Sequence, residues 1–311
     1  MLTATLKSLA DPTRLRLLGI LEQGELTVQD LTTVLLMGQS RVSRHLKILC
    51  DVGILAVTRQ GTWGYYRLAD DNPLFRRLWE ACRSSLEELP QRHDDLERLG
   101  HLLEERRHRN QAFFDHHARQ WDRLADSLLP VVPFREALLA KVPRCATLLE
   151  VGVGTGLLLA GLRKKAVKVI GVDHSSAMLA EAQRQMEDAG LEGIDLRLGE
   201  MSHLPVADRS VNCAVLSMVL HHAAQPAAVL AELARVLAPG GSLVVAELRR
   251  HEQEWVREHL SDQWLGFEPA DLTLWLQGAG FTSIGIDNLT GDTAHQSVLL
   301  LNAVNGGGAH L

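Results

Sequence analysis

No apolar run in this 311-residue chain approaches the roughly eighteen residues of a membrane span, and the N-terminus shows no charged-then-apolar leader pattern. The expectation is a cytoplasmic globular protein. Cysteine is scarce: Cys50, Cys82, Cys145 and Cys213 stand far apart with no CxxC or CxC pair, and read as free thiols in a reducing compartment. Residues 73–128 hold one glycine, Gly100, and have no proline between Gln91 and Leu129, so this Arg/Glu-rich stretch reads as long helices. What is present, a 46% hydrophobic composition, suffices for about two domains with their own cores.

Charge is unevenly placed. The net charge is −6, yet residues 1–110 hold 16 Lys/Arg against 15 Asp/Glu, while residues 111–311 hold 16 against 23. Between Met37 and Leu68, five basic residues face a single acid, Asp51. A local basic patch in an acidic protein is a footprint for a polyanion. Around it, Asp11-Pro12 opens a helix and Thr27 with Asp30 forms a capping box. A further helix, from Gln39 to about Cys50, sets Val42, Leu46 and Leu49 on one face and Ser40, Arg44 and Lys47 on the other, with Arg41, Ser43 and His45 on the flanks. Two short β runs follow around the glycine-containing tip Gln60-Gly61-Thr62-Trp63-Gly64, flanked by Arg59 and Arg67. The pattern predicts a winged helix-turn-helix, mostly α with a β wing.

Residues 5–90 resemble the ArsR/SmtB winged-helix regulators, through Leu9-Ala-Asp-Pro-Thr-Arg-Leu-Arg-Leu-Leu18, Gln39-Ser-Arg-Val-Ser-Arg-His-Leu-Lys47 and the wing. The resemblance implies a homodimer on an inverted-repeat operator of double-stranded DNA, contacted by Ser40, Arg41, Ser43, Arg44, His45 and Lys47, with Arg59 and Arg67 on the wing. The thiol pair of the metal-sensing members would fall near Thr27-Val28-Gln29, which has no cysteine. Asp94, His101, Glu104 and His108 share a face of the connector, but 14 histidines are spread over the chain, and no metal site is assigned.

The second half alternates strand and helix, five βα units and then a hairpin. Glu150-Val-Gly-Val-Gly-Thr-Gly156 follows the first strand, and Asp173 ends the second about twenty residues on, the spacing of a nucleoside-binding βαβ unit. Leu157 stands where a dinucleotide fingerprint has its last glycine, which points to an adenosine ligand without a diphosphate: S-adenosylmethionine or S-adenosylhomocysteine. With Asp173-His-Ser-Ser-Ala-Met-Leu179, Gly199-Glu-Met-Ser-His-Leu-Pro205, Leu220-His-His222 and Pro239-Gly-Gly241, residues 110–305 resemble class I S-adenosylmethionine-dependent methyltransferases, nearest the small-molecule, quinone-biosynthesis group.

That resemblance implies a Rossmann-like, seven-stranded α/β sheet and a cofactor set of Glu150, Gly152, Gly154, Gly156, Asp173, His174, Met178, Glu200, Met201 and Ser217. His221 and His222 are the candidate catalytic residues, as base or as pocket lining. The organisation expected is a winged helix over 1–90, a helical connector serving as dimer or lid segment over 91–128, the methyltransferase-like domain over 129–305 and a disordered tail over 306–311. Two functions remain open: a regulator that senses the nucleotide, or a working methyltransferase for a small-molecule acceptor that regulates its own pathway.

Overall fold

The computed structural model describes residues 2–69, 72–128, 131–293 and 296–307. The expected tail lies, from Gly308 onward, outside them. The chain divides into two compact units, Met1–Arg107 and His108–Leu311.

Unit one is helical around a small sheet. Its elements are α1 (Leu2–Leu9), α2 (Pro12–Leu21), β1 (Leu26–Thr27), α3 (Val28–Leu35), α4 (Gln39–Asp51), β2 (Leu55–Gln60), β3 (Trp63–Leu68), α5 (Pro73–Arg83) and the first part of α6 (Arg92–His117). Local chemistry sets the boundaries. The Asp11 carboxylate accepts from the Arg14 amide at 3.0 Å, with Pro12 at the first helical position of α2. Thr27 and Asp30 exchange backbone-to-side-chain hydrogen bonds at 3.2 and 2.9 Å at the start of α3. Both caps satisfy amides that the first helical turn would otherwise leave open. The wing is the antiparallel pair β2–β3, and β1 adds a third strand on the far edge of β3.

Val42, Leu46 and Leu49 of α4 are fully buried against Leu17, Leu18, Leu31 and Val34. Leu86 and Leu99 lie in the same core. Leu99 falls in the 91–128 connector, and with Leu86 it helps close the hydrophobic core of unit one. Asp95 of α6, 2% exposed, accepts from Arg16 at 2.7 Å through two nitrogens and from Arg98 at 2.5 Å. Arg98 also donates to the Val34 carbonyl at 2.6 Å, and Arg106 pairs with Asp30. A buried carboxylate is tolerable only when its oxygens are satisfied this fully.

Unit two is built on a seven-stranded sheet: β4 (Cys145–Val151), β5 (Ala166–Asp173), β6 (Ile194–Leu198), β7 (Val211–Ser217), β8 (Leu237–Leu248), β9 (Phe281–Leu289) and β10 (Val298–Asn305), in the order β6-β5-β4-β7-β8-β10-β9. The pairs among β4 to β8 are parallel, and β10 runs antiparallel to both β8 and β9. The central strands read as near-continuous apolar runs because helices cover a parallel sheet. Residues of α8 (Arg135–Lys141), α9 (Leu159–Arg163) and α10 (Ser176–Asp188) pack on Leu148, Val169, Val215 and Val244. The last part of α6, α7 (Trp121–Leu128), α11 (Pro226–Val236), α12 (Val256–His259) and α13 (Pro269–Gly278) complete the unit. Among the described residues, no helix is long and apolar enough to cross a membrane.

Candidate functional sites

In unit one the side chains predicted to meet DNA are mostly free of the core. Ser40, Arg41, Arg44, Lys47 and Arg59 are exposed and Ser43 is half-buried. Two others are engaged within the unit. His45 sits with Nδ1 3.9 Å from Asp11 Oδ1, and Arg67 lies 3.7 Å from Glu25 while donating to the Leu68 carbonyl at 3.2 Å. Burial holds the His45 imidazole below its ordinary pKa against the pull of Asp11, helped by Arg14, Arg41 and Arg44. The resulting surface is basic at α4 and the outer strand of the wing.

In unit two a cavity of about 180 Å³ opens at the carboxyl ends of the parallel strands. This is where ligands settle in open α/β sheets. Glu150, Gly152, Gly154, Asp173, His174, Met178, Met201 and Ser217 line it, together with His221 and His222. Gly156 and Glu200, predicted with them, are not among the lining residues. A Cβ at Gly156 would meet Leu159 at 2.9 Å and Ala182 at 3.2 Å, so that glycine serves the packing of the turn on α10. At Gly152 (φ +72°) a Cβ would meet Val219 at 2.2 Å, which no side chain can occupy.

Asp173 joins the two halves of the nucleoside-type motif. One carboxylate oxygen accepts from the Gly154 amide at 2.8 Å, the other from the Ser175 amide at 2.9 Å. Helix α6 braces the same turn from outside the sheet: Asp115 accepts from Ser175 Oγ at 2.6 Å and the Ala177 amide at 3.3 Å, and Gln111 donates to the His174 carbonyl at 2.9 Å. Phe114, Trp121 and Asp122 form a further wall, with the Phe114 and Trp121 rings 4.9 Å apart. Thr155 donates to Asp122 at 2.8 Å.

Burial governs the charges here. It pushes Glu150 up to about 8, with the Asp173 charge adding to the effect. Asp173 and Asp122 are also raised by burial, against the hydrogen bonds each accepts. Two buried atoms on this wall have no hydrogen-bond partner: Glu150 Oε2 and His174 Nε2. Buried polar atoms are rarely left so, and a pair of them on one cavity fits a polar ligand.

Also lining the cavity, a short turn after β7 carries His221 and His222. His221 Nδ1 lies 2.7 and 2.9 Å from the two Glu247 oxygens. Burial disfavours the His221 imidazolium, but Glu247 and Asp262 outweigh it and raise the pKa to about 9. Burial and the neighbouring His221 hold His222 well below the ordinary value. Asp262 is pushed up to about 7 by burial, opposed by His221.

Sequence reasoning missed Asp115, Asp122, Thr155 and Asp262. Asp115 and Asp122 lie in the 91–128 connector, read as a dimer or lid segment. Asp262 carried no local signal, because it reaches the site from a loop beyond β8. Trp264, Phe267 and Trp275 form a ring cluster with centroids 5.6–5.8 Å apart, with Trp264 and Phe267 fully buried.

Comparison with known proteins agrees with this division. Residues 11–57 match the bacterial regulatory protein, arsR family, and residues 149–245 match a methyltransferase domain. An arsenic resistance transcriptional regulator of Pseudomonas putida is 48% identical over 68 residues, 22% of this chain and 53% of the relative. A demethylmenaquinone methyltransferase of Renibacterium salmoninarum is 33% identical over 129 residues, 42% of this chain and 48% of the relative. The chain spans only 29%, 27% and 50% of three further curated relatives. Among solved structures, the N-methyltransferase NodS of Bradyrhizobium japonicum in complex with S-adenosyl-L-homocysteine superposes with a TM-score of 0.52 at 16% identity, over 63% of this chain and 98% of that one. That likeness shows the fold of unit two.

Proposed function

We propose that this chain, which joins an arsR-type helix-turn-helix to a methyltransferase domain, is a transcription regulator whose second unit senses S-adenosylmethionine or S-adenosylhomocysteine. The observation that carries the reading is the pair of unpartnered buried atoms, Glu150 Oε2 and His174 Nε2, beside Asp173 on one cavity. A nucleoside bearing an amino-acid tail offers what they lack. Asp173 would take the ribose hydroxyls, Glu150 the ammonium of the tail, and Met178 and Met201 the faces of the adenine. Gly152, Gly154 and Ser217 would border the sulfur. Gly156 would shape the turn on α10, and Glu200 would meet the adenine edge beside Met201.

Sensing needs a part that feels both events. Helix α6 gives its residues up to Arg107 to unit one and those from His108 to unit two. Its Arg98 and Arg106 bind Val34 and Asp30 of α3, and its Gln111 and Asp115 bind the turn that begins at Asp173. Ligand at Asp173 therefore acts on a turn that α6 itself holds. In unit one, Ser40, Arg41, Ser43, Arg44, Lys47 and Arg59 would meet an inverted-repeat DNA site as a homodimer, with His45 and Arg67 positioning their neighbours.

The second reading, a working methyltransferase for a small-molecule acceptor, is favoured by the two imidazoles that line the same cavity. Methyl transfer depends mainly on holding donor and acceptor in line, and asks for few catalytic groups. Calorimetric titration of the full chain with each nucleotide tests the site that both readings share. Asp173→Ala should weaken binding by roughly ten- to a hundredfold, the worth of hydrogen bonds to a charged group, while the DNA affinity of the ligand-free protein stays unchanged. An unaltered titration would remove Asp173 from the site.

A further inference from the structure

The same cavity lining holds three further side chains that the proposed nucleotide contacts leave unused. His221, His222 and Asp262 bring one donor atom each within 4.8 Å of one another, all three buried. Asp262 Oδ1 lies 3.7 Å from His221 Nε2 and 3.6 Å from His222 Nδ1. Neither Asp262 oxygen accepts a hydrogen bond, although the side chain is 1% exposed. His222 Nδ1 has only a long contact, 3.4 Å, to the Ser261 carbonyl.

These distances are close to those of a coordination shell. Nitrogen and oxygen ligands about 2.0–2.2 Å from a tetrahedral ion lie roughly 3.3–3.5 Å apart, so the two edges to Asp262 are within a few tenths of an ångström of that spacing, and all three donors lie within 4.8 Å of one another. Glu247 supplies the remaining feature. It engages His221 Nδ1 at 2.7 and 2.9 Å and leaves Nε2 turned toward Asp262. A carboxylate on the far nitrogen is what fixes the tautomer and orientation of metal-binding imidazoles.

We propose that His221 Nε2, His222 Nδ1 and the Asp262 carboxylate form a site for a divalent transition-metal ion of the zinc class. Two imidazoles and one carboxylate suit such an ion better than magnesium or calcium, which prefer all-oxygen shells. With neutral imidazoles, Asp262 and Glu247 together carry the two negative charges that balance the ion. All three ligands line the cavity, so the fourth position faces it and is open to water or to an oxygen, nitrogen or sulfur atom of a small molecule. The site stands whether unit two senses or catalyses.

The test uses the full-length protein, stripped with chelator and titrated with cobalt(II), whose visible bands report coordination number. One equivalent per chain should bind with the strong bands of a four- or five-coordinate ion, and zinc(II) should displace it. Asp262→Asn, of the same shape, and His222→Gln should weaken binding at least a hundredfold. Glu247→Gln should cost about ten- to a hundredfold, as loss of an orienting carboxylate does. A variant lacking both exposed α6 histidines, His101→Ala with His108→Ala, should bind as the parent does. Circular dichroism and the nucleotide titration confirm that each variant is folded. Absence of stoichiometric binding, binding unchanged by Asp262→Asn, or binding lost with His101 and His108 would each overturn the assignment.

Discussion

The two units handle charge in opposite ways. Unit one keeps its candidate DNA-contacting side chains, Arg41, Arg44, Lys47 and Arg59, on an exposed surface over an apolar core. Unit two sinks Glu150, Asp173, His221, His222, Glu247 and Asp262 into and around one cavity, where burial raises Glu150 and the neighbouring carboxylates raise His221 against burial. A polyanion is met by solvated charges at modest cost per contact, because counterion release supplies the affinity. A small ligand is met by a few buried groups already desolvated and aimed, and each is individually costly to disturb. Unit one should therefore respond gradually to single substitutions and to salt, and unit two abruptly to substitutions and to pH.

The largest expected effect is at Gly152. A Val side chain there would collide with Val219 and hold φ near +72°, where β-branched residues are strained. Gly152→Val should abolish nucleotide binding in the calorimeter and lower the melting temperature of unit two, while ligand-free DNA binding survives. Loss of both functions together would erase the distinction between the units.

Next is the pH dependence from Glu150. Its folded-state pKa, about 8, lies above the ordinary glutamate value of 4.5, so the folded protein holds the proton more tightly than the unfolded chain. Stability from this group is fully present below about pH 4.5, falls as the pH rises through the window to about 8, and is level beyond. Glu150→Gln removes this loss. Denaturant titration of the ligand-free protein should find the variant more stable than the parent at pH 8.5, by as much as roughly 4 kcal/mol, and equal to it near pH 4. A constant difference across that range would mean that Glu150 keeps its charge in the folded state.

The smallest effect is expected in unit one. Arg44→Ala should cost about 1–3 kcal/mol on specific DNA and less on random DNA, as read by fluorescence anisotropy, if the side chain reaches a base edge. Equal losses on both would reduce Arg44 to a phosphate contact.

Legibility in the sequence divides along the same line. The Asp11 and Thr27–Asp30 caps, the buried face of α4 and the tight wing were readable because each is decided within a few residues. The central parallel strands and the glycine turn were equally plain, since β4, β5, β7 and β8 are largely apolar and the turn has little freedom. Two-residue β1 was not readable, having no periodicity to show. Strand β8 begins at Leu237, which pairs with Val211; Pro239-Gly-Gly241 then interrupts the register, with Gly240 at φ +76°, before regular pairing resumes at Ser242. Leu86 and Leu99 gave the period of a helix face but no sign of what covers it. Asp95, Asp115 and Asp262 owe their roles to partners far away in sequence: Arg16 is 79 residues from Asp95, and Ser175 is 60 from Asp115. No local pattern encodes such pairs.

The central claim is that occupancy of the unit-two cavity is felt by the DNA-reading unit. The most direct measurement is the affinity of the full-length protein for labelled DNA from its own upstream region, taken without nucleotide, with S-adenosylmethionine and with S-adenosylhomocysteine. The account predicts that one of the two shifts the affinity by tenfold or more, about 1.4 kcal/mol of coupling, and that Asp173→Ala abolishes the shift. Specific binding that neither nucleotide moves, at concentrations that saturate the cavity, would contradict it and leave unit two as an enzyme whose acceptor is to be found.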